Sequence, residues 1–235
     1  MEWCPQNAMK AFLQTLHLCK VNKIHNAVQK YGLDGSKIME PQGTELLSAL
    51  AAGNQARIIL EITTSHSQQQ SVTPLTLGLA VAANQTQGKL ICIRPSLHSC
   101  YGLEHVVEHE NKHEHDCNAN GSATELRVGD PCEVVTDIRN VDFAVIDCTN
   151  LDANRLRLLS DKLHLNPRGF IIVANNILHR EQGVALVDQI LKGKRGIQSS
   201  VTTLPLGSSP GFQLIIKVKS QKRRKHKRFF VTFDD

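Results

Sequence analysis

The last two apolar segments of the chain, residues 200–206 and 212–219, are separated only by Gly207-Ser-Ser-Pro-Gly211. Five residues cannot hold a helical crossover, so these segments must pair as an antiparallel hairpin. Five strand-like segments precede them, at 56–63, 89–93, 124–128, 141–148 and 170–174, and stretches with helical features connect them. Thr73-Pro74 starts one helix, Asp130-Pro131 another, and Asp152 caps a third with Leu156, Leu159 and Leu163 on one face. Before the first strand, Pro5 opens a helix with Ala8, Phe12, Leu16 and Cys19 in step, and a helix from Gly43 to Ala52 is expected to close on Gly53 as a left-handed C-cap. Such an order describes an α/β domain: a mostly parallel sheet with one reversed strand, in three layers. At 235 residues the expectation is one domain over 1–219 with an N-terminal helical cap at 1–55, followed by a basic tail at 220–235.

The formal charge of +5 is concentrated in one place. Residues 217–228, KVKSQKRRKHKR, hold eight of the 27 lysines and arginines and no acid, leaving 19 basic against 22 acidic residues elsewhere. Basicity therefore belongs to a tail whose partner would be a nucleic acid, an acidic protein or a nuclear import receptor, unless it is only a solvated extension. Seven cysteines, an odd number without a CxxC pair, read as reduced thiols. No apolar run approaches the roughly 20 residues that cross a bilayer. The N-terminus also lacks a basic segment followed by an apolar one, so a soluble, cytoplasmic protein without membrane contact is expected.

The first strand ends Leu60-Glu-Ile-Thr63, and the turn after it, Thr63-Thr-Ser-His-Ser-Gln-Gln-Gln-Ser71, contains no glycine. Nucleotide-binding α/β folds place glycines there so that backbone can approach a phosphate or carboxylate at the next helix N-terminus. Farther on, His105, His109 and His113 repeat every four residues, which would suit Zn²⁺ if His115 or Cys117 folded back. Interleaved Glu104, Glu108, Glu110, Lys112 and Glu114 instead describe a solvated helix, and no metal is expected.

Four segments carry a resemblance: Glu45-Leu-Leu-Ser-Ala-Leu through Ile59-Leu-Glu-Ile62; Val128-Gly-Asp130; Val141-Asp-Phe-Ala-Val-Ile-Asp147; and Gly169-Phe-Ile-Ile-Val-Ala-Asn-Asn176, with Leu204-Pro-Leu-Gly207 as a fifth. Together they resemble the Rossmann-like class I S-adenosylmethionine-dependent methyltransferases, most nearly the cation-dependent O-methyltransferases acting on catechols and caffeoyl-CoA. The opening Trp3-Cys-Pro-Gln-Asn-Ala-Met with Ser48-Ala-Leu-Ala-Ala-Gly53 is similar to a plant family of methyltransferase-like proteins known only as a domain of unknown function.

This resemblance implies S-adenosyl-L-methionine or a related nucleoside as cofactor, with contacts at Glu61, Thr63, Thr64, Arg94, Asp130 and Asp147. Glu61 would take hydrogen bonds around the methionine moiety, Asp130 would meet the adenine edge, and Asp147 would end the fourth strand beside the methyl donor. Three departures stand against it. Thr63 replaces a glycine; Arg94 replaces the acid expected for the ribose hydroxyls; Asn175-Asn176 replaces the aspartate-asparagine pair of the cation site. A guanidinium only donates, so Arg94 suits a phosphate or is a solvated strand-end residue. One carboxylate and two amides make a poor Mg²⁺ or Ca²⁺ cage. No general base is placed by a motif, His179 being readable as a helix-start side chain. Two functions follow: a methyltransferase-like nucleoside binder in which methyl transfer is doubtful, or a non-catalytic interaction protein that uses the fold and its basic tail. The N-terminal helices suit either a cap over the ligand cleft or a homodimer contact.

Overall fold

A computed structural model describes residues 2–21, 41–64, 73–96, 124–177, 179–192, 198–205 and 212–219. Helices α1 (Pro5–Val21) and α2 (Pro41–Gly53) lead into β1 (Ile58–Ile62), α3 (Pro74–Thr86), β2 (Lys89–Arg94), β3 (Thr124–Val128), α4 (Pro131–Val134), β4 (Phe143–Asp147), α5 (Ala153–Lys162), β5 (Gly169–Ile177), α6 (Arg180–Leu191), β6 (Gln198–Pro205) and β7 (Phe212–Lys219). Seven strands form one sheet in the order β3-β2-β1-β4-β5-β7-β6. All neighbours are parallel except β5 with β7 and β6 with β7, so β7 is the single reversed strand.

Strand parity divides the core between the two faces. Leu60, Ile62, Ile91, Ile93, Ala144, Ile146, Ile172 and Ile216 pack with Leu156 and Leu159 of α5 and Leu186 and Ile190 of α6. On the other face Ile59, Leu90, Cys92, Phe143, Val145, Ile171 and Val173 pack with Ala11 of α1, Leu47 and Ala51 of α2, and Leu79 to Ala83 of α3. Burying such side chains contributes about 1.5–3 kcal/mol each. The N-terminal helices are thus part of a helical layer.

Several boundaries differ from the sequence expectation. Gly53 is not the left-handed cap of α2; that conformation falls at Gln55, with φ 56°. Gly53 is small because a Cβ there would collide with the Trp3 ring and Ala8. Strand β1 is shorter than 56–63, since Asp142 Oδ2 accepts the backbone N–H groups of Arg57 (2.8 Å) and Ile58 (3.0 Å) and begins the ladder there. Strand β5 runs past residue 174 through Asn175 and Asn176, and its register with β7 shifts between Ala174 and Ile177. Among the described residues no helix is long and apolar enough to cross a membrane.

Candidate functional site

At the C-terminal edge of the sheet, parity decides which polar groups meet. In the parallel register Glu61 lies beside Cys92 and Ile62 beside Ile93, so Glu61, Cys92 and Arg94 share the face covered by α3, as Ile59 and Leu90 do. Thr63 continues β1, its N–H donating to the Ile93 carbonyl at 3.1 Å. The next helix supplies the fourth wall. Thr73 caps α3 and Pro74 opens it; the Thr76 N–H donates to Thr73 Oγ1 (3.1 Å) while the Thr73 N–H donates to Thr76 Oγ1 (3.4 Å). That reciprocal cap holds Thr76 on the first turn, over the end of β1.

The result is a buried polar cluster. Arg94 Nη2 donates to Glu61 Oε2 at 3.1 Å and to Thr76 Oγ1 at 3.2 Å, and Nη1 donates to Thr63 Oγ1 at 2.9 Å. Thr76 Oγ1 donates to the other carboxylate oxygen, Glu61 Oε1, at 2.9 Å, and the Cys92 thiol lies 3.4 Å from Glu61 Oε2. Arg94 is 0% exposed and Glu61 2%. Arg94 is therefore not the solvated strand-end residue that its sequence position allowed. Both charges are out of water, so their attraction mainly offsets desolvation, and removing one partner alone costs about 3–5 kcal/mol.

Across the sheet, Asp147 ends β4. Its Oδ1 accepts from the Thr149 N–H (3.2 Å), Thr149 Oγ1 (2.6 Å) and Asn176 Nδ2 (3.0 Å). Thr64 Oγ1 donates to the Asp147 carbonyl at 3.1 Å, and Asn150 Nδ2 donates to the Thr64 carbonyl at 3.1 Å, tying the β1 and β4 turns together. The two asparagines part company at the β5 irregularity, where Asn176 takes φ 56°. Asn175 is buried, its Oδ1 accepting from Gln213 Nε2 on β7 at 2.7 Å. One carboxylate with a loaded oxygen, one amide beside it and one amide turned to β7 do not fit a divalent cation that needs several anionic oxygens. Among the described residues no three His, Cys, Asp or Glu side chains are grouped for a metal.

Asp130 follows Gly129, whose N–H donates to the Arg94 carbonyl at 2.9 Å, but its carboxylate is engaged elsewhere. It caps α4 by accepting the Cys132 N–H at 3.0 Å, and Arg155 Nη2 of α5 bridges Oδ1 and Oδ2 at 2.8 and 2.9 Å. The Cys132 backbone hydrogen bond first, and then Arg155, hold its carboxyl below the usual range. Burial pushes the Cys148 thiol far above the ordinary cysteine range, with Asp147 adding to the effect, and burial raises Cys132 as well. Burial thus favours the neutral thiol at both positions. His179 precedes α6, its N–H donating to Gln182 Oε1 at 3.0 Å.

The fold thus brings Glu61, Thr63 and Arg94 into one cluster and Thr64 and Asp147 into a second, and leaves Asp130 to a surface ion pair. Sequence reasoning missed Thr76, Cys92 and Gln213. Thr76 was recoverable from the Thr73-Pro74 helix start and Cys92 from strand parity, whereas the partner of Asn175 depends on the β5–β7 register. Loop 65–72, His105, His109, His113 and the tail from 220 onward lie outside the described residues. A cavity of about 590 Å³, lined by Arg139, Ser160, His164 and Gln189 among others, lies at the opposite end of β4 from Asp147. Ligands of parallel sheets enter at the C-terminal edge instead.

Residues 1–235 match the family described as "Protein of unknown function (DUF1442)". No curated protein matches the chain. Among solved structures it is similar to a methyltransferase from Geobacter sulfurreducens, 16% identical, with a TM-score of 0.55 over 87% of this chain and 94% of that one. It is similar to the O-methyltransferase from Bacillus cereus in complex with SAH, 17% identical, with a TM-score of 0.54 over 91% of this chain and 100% of that one. The O-methyltransferase TomG from Streptomyces achromogenes, solved with SAM, is 19% identical with a TM-score of 0.53 over 89% of each chain. At these identities the likeness is one of fold: a Rossmann-like methyltransferase sheet.

Proposed function

The chain belongs to the DUF1442 family, and on that premise we propose that it is a methyltransferase-fold binding protein that acts without methyl transfer. One observation carries this reading: Arg94 reaches across from β2 and neutralises Glu61 in a buried cluster that Thr63 and Thr76 complete. A methyl donor held as in the O-methyltransferases that the sequence resembles needs an acceptor for its ribose hydroxyls at the end of β2 and a carboxylate at the end of β1. Here the first position holds a group that only donates, and the second is consumed by it. The residues at this half of the edge do not fit S-adenosylmethionine.

In this reading the basic segment 217–228, which begins with Lys217 and Lys219 on β7, contacts an acidic partner. Calorimetry of the full chain with S-adenosylmethionine and with its demethylated product is expected to give no heat at millimolar ligand; stoichiometric binding of either would overturn the reading. For the tail, salt-dependent retention on DNA or RNA is compared with that of a chain ending at Ser220, and a loss of retention in the shorter chain is expected. Equal behaviour of the two at low salt sinks the tail's role.

A second reading has its own observation. Asp147 is only half-buried, and among the described residues its Oδ2 accepts no hydrogen bond. A nucleoside hydroxyl could donate there. If calorimetry shows binding and Asp147→Asn abolishes it, the nucleoside-binding reading replaces the first.

A further inference from the structure

Strand β6 is the outer strand of the sheet, and its ladder with β7 runs unbroken from Gln198↔Lys219 to Pro205↔Phe212. Residues 198–203 are exposed at six consecutive positions. On a strand with one covered face exposure alternates, so uninterrupted exposure means that neither helical layer reaches β6. Edge strands are normally guarded against pairing by lysines, inward charges, bulges or proline. Gln198-Ser-Ser-Val-Thr-Thr-Leu204 has none of these: no charge, no bulge, no proline before 205, and β-branched residues at 201–203.

We propose that β6 is a self-association surface, along which two copies of this chain pair antiparallel about a two-fold axis through Val201 to continue one sheet across both. The segment is complementary to itself in that register. Val201 meets Val201, Ser200 meets Thr202, Ser199 meets Thr203, and Gln198 meets Leu204. Hydroxyl pairs and β-branched pairs are favourable cross-strand neighbours.

The next strand in agrees. Because Val201 pairs with Ile216, the central row becomes Ile216-Val201-Val201-Ile216, which covers a valine that is 43% exposed in the single chain. Charge agrees too. Lys217 lies beside Ser200, so its row continues through Thr202 and Ile215 of the second copy, and the row of Lys219 continues through Leu204 and Gln213. No lysine faces a lysine, and a charged peptide would find no counter-charge on β6. A two-fold contact of this kind closes at two copies.

Analytical ultracentrifugation of the full chain at micromolar concentration is expected to give twice the 26.0 kDa chain mass. Val201→Lys places two ammonium groups across the axis and should halve the mass with an unchanged circular dichroism spectrum. Should that variant fail to fold, oxidised Val201→Cys decides: it should form a covalent dimer beyond what the native cysteines give. Thr203→Cys, which faces Ser199 and not itself, should not. A monomer at every concentration, a dimer indifferent to Val201→Lys, equal cross-linking of both cysteine variants, or open-ended polymers would each overturn the proposal.

Discussion

The β1–β2 and β4–β5 pairs each bring one acid to the C-terminal edge and treat it differently. On the β1–β2 side, Glu61 faces a cation of its own chain and is sealed from water. On the β4–β5 side, Asp147 is held among the described residues by neutral donors, Thr149 and Asn176, and stays half-exposed. The two acids end parallel strands one place apart in the sheet. What separates them is what the next strand supplies nearby: Arg94, two residues beyond the Cys92 that pairs with Glu61 on β2, or the asparagines at the end of β5, of which Asn175 pairs with Asp147. An acid's availability to a ligand is thus set by its lateral neighbour more than by its own position.

The largest way to break this contrast is to remove the cation. Arg94→Ala leaves Glu61 buried without its charge partner and should cost about 3–5 kcal/mol in urea unfolding. The double variant Arg94→Leu with Glu61→Leu removes both charges and should recover most of that loss, because apolar replacement of a buried pair is often neutral or better. If the single variant unfolds like the wild type, Arg94 and Glu61 are not an energetically coupled pair.

On the other side the sharpest handle is the amide pair that takes Asn175 out of the edge. Gln213→Leu leaves Asn175 Oδ1 buried without its donor, a loss of about 1–3 kcal/mol by the same measurement. Asp147→Asn should do less, under about 1 kcal/mol, since an amide oxygen still accepts from Thr149 and the side chain is only half-buried. A larger loss for Asp147→Asn than for Gln213→Leu would reverse the ranking of buried and open halves.

How much of this was legible beforehand follows from which interactions are local. Short apolar segments, helix-start pairs such as Thr73-Pro74 and Asp130-Pro131, and the short Gly207–Gly211 link are read from neighbours in sequence, and they gave the sheet and its one reversed strand. Glu61, Arg94 and Asp147 were candidates only through the resemblance, which matches short motifs at the strand ends. Their partners were not, because a pair such as Glu61–Arg94 spans 33 residues and depends on a parallel register that no local pattern states. Asn175 shows the same limit more sharply. Its sequence position beside Asn176 suggested a shared site, but the irregularity in β5 sends the two amides to different neighbours. Gly53 was misread because a glycine after a helix fits two causes, a left-handed cap and close packing, and only the Trp3 contact tells them apart.

The smallest effect belongs to Asp130, the remaining acid of the edge, and it tests the contrast through pH. Its carboxyl is held below the usual range by the Cys132 N–H and by Arg155. A group whose folded pKa is depressed stabilises the fold above its unfolded value, near 4, and loses that contribution as pH falls through the folded value. Asp130→Asn should therefore cost at most about 1 kcal/mol at neutral pH, the scale of a helix cap, because the ion pair with Arg155 is exposed and screened. The gap between wild type and variant in urea titrations should be constant from pH 7 to about 5 and close below about 4. A gap that instead grew on acidification would mean that the protonated acid is the stabilising form, which the Arg155 bridge does not allow.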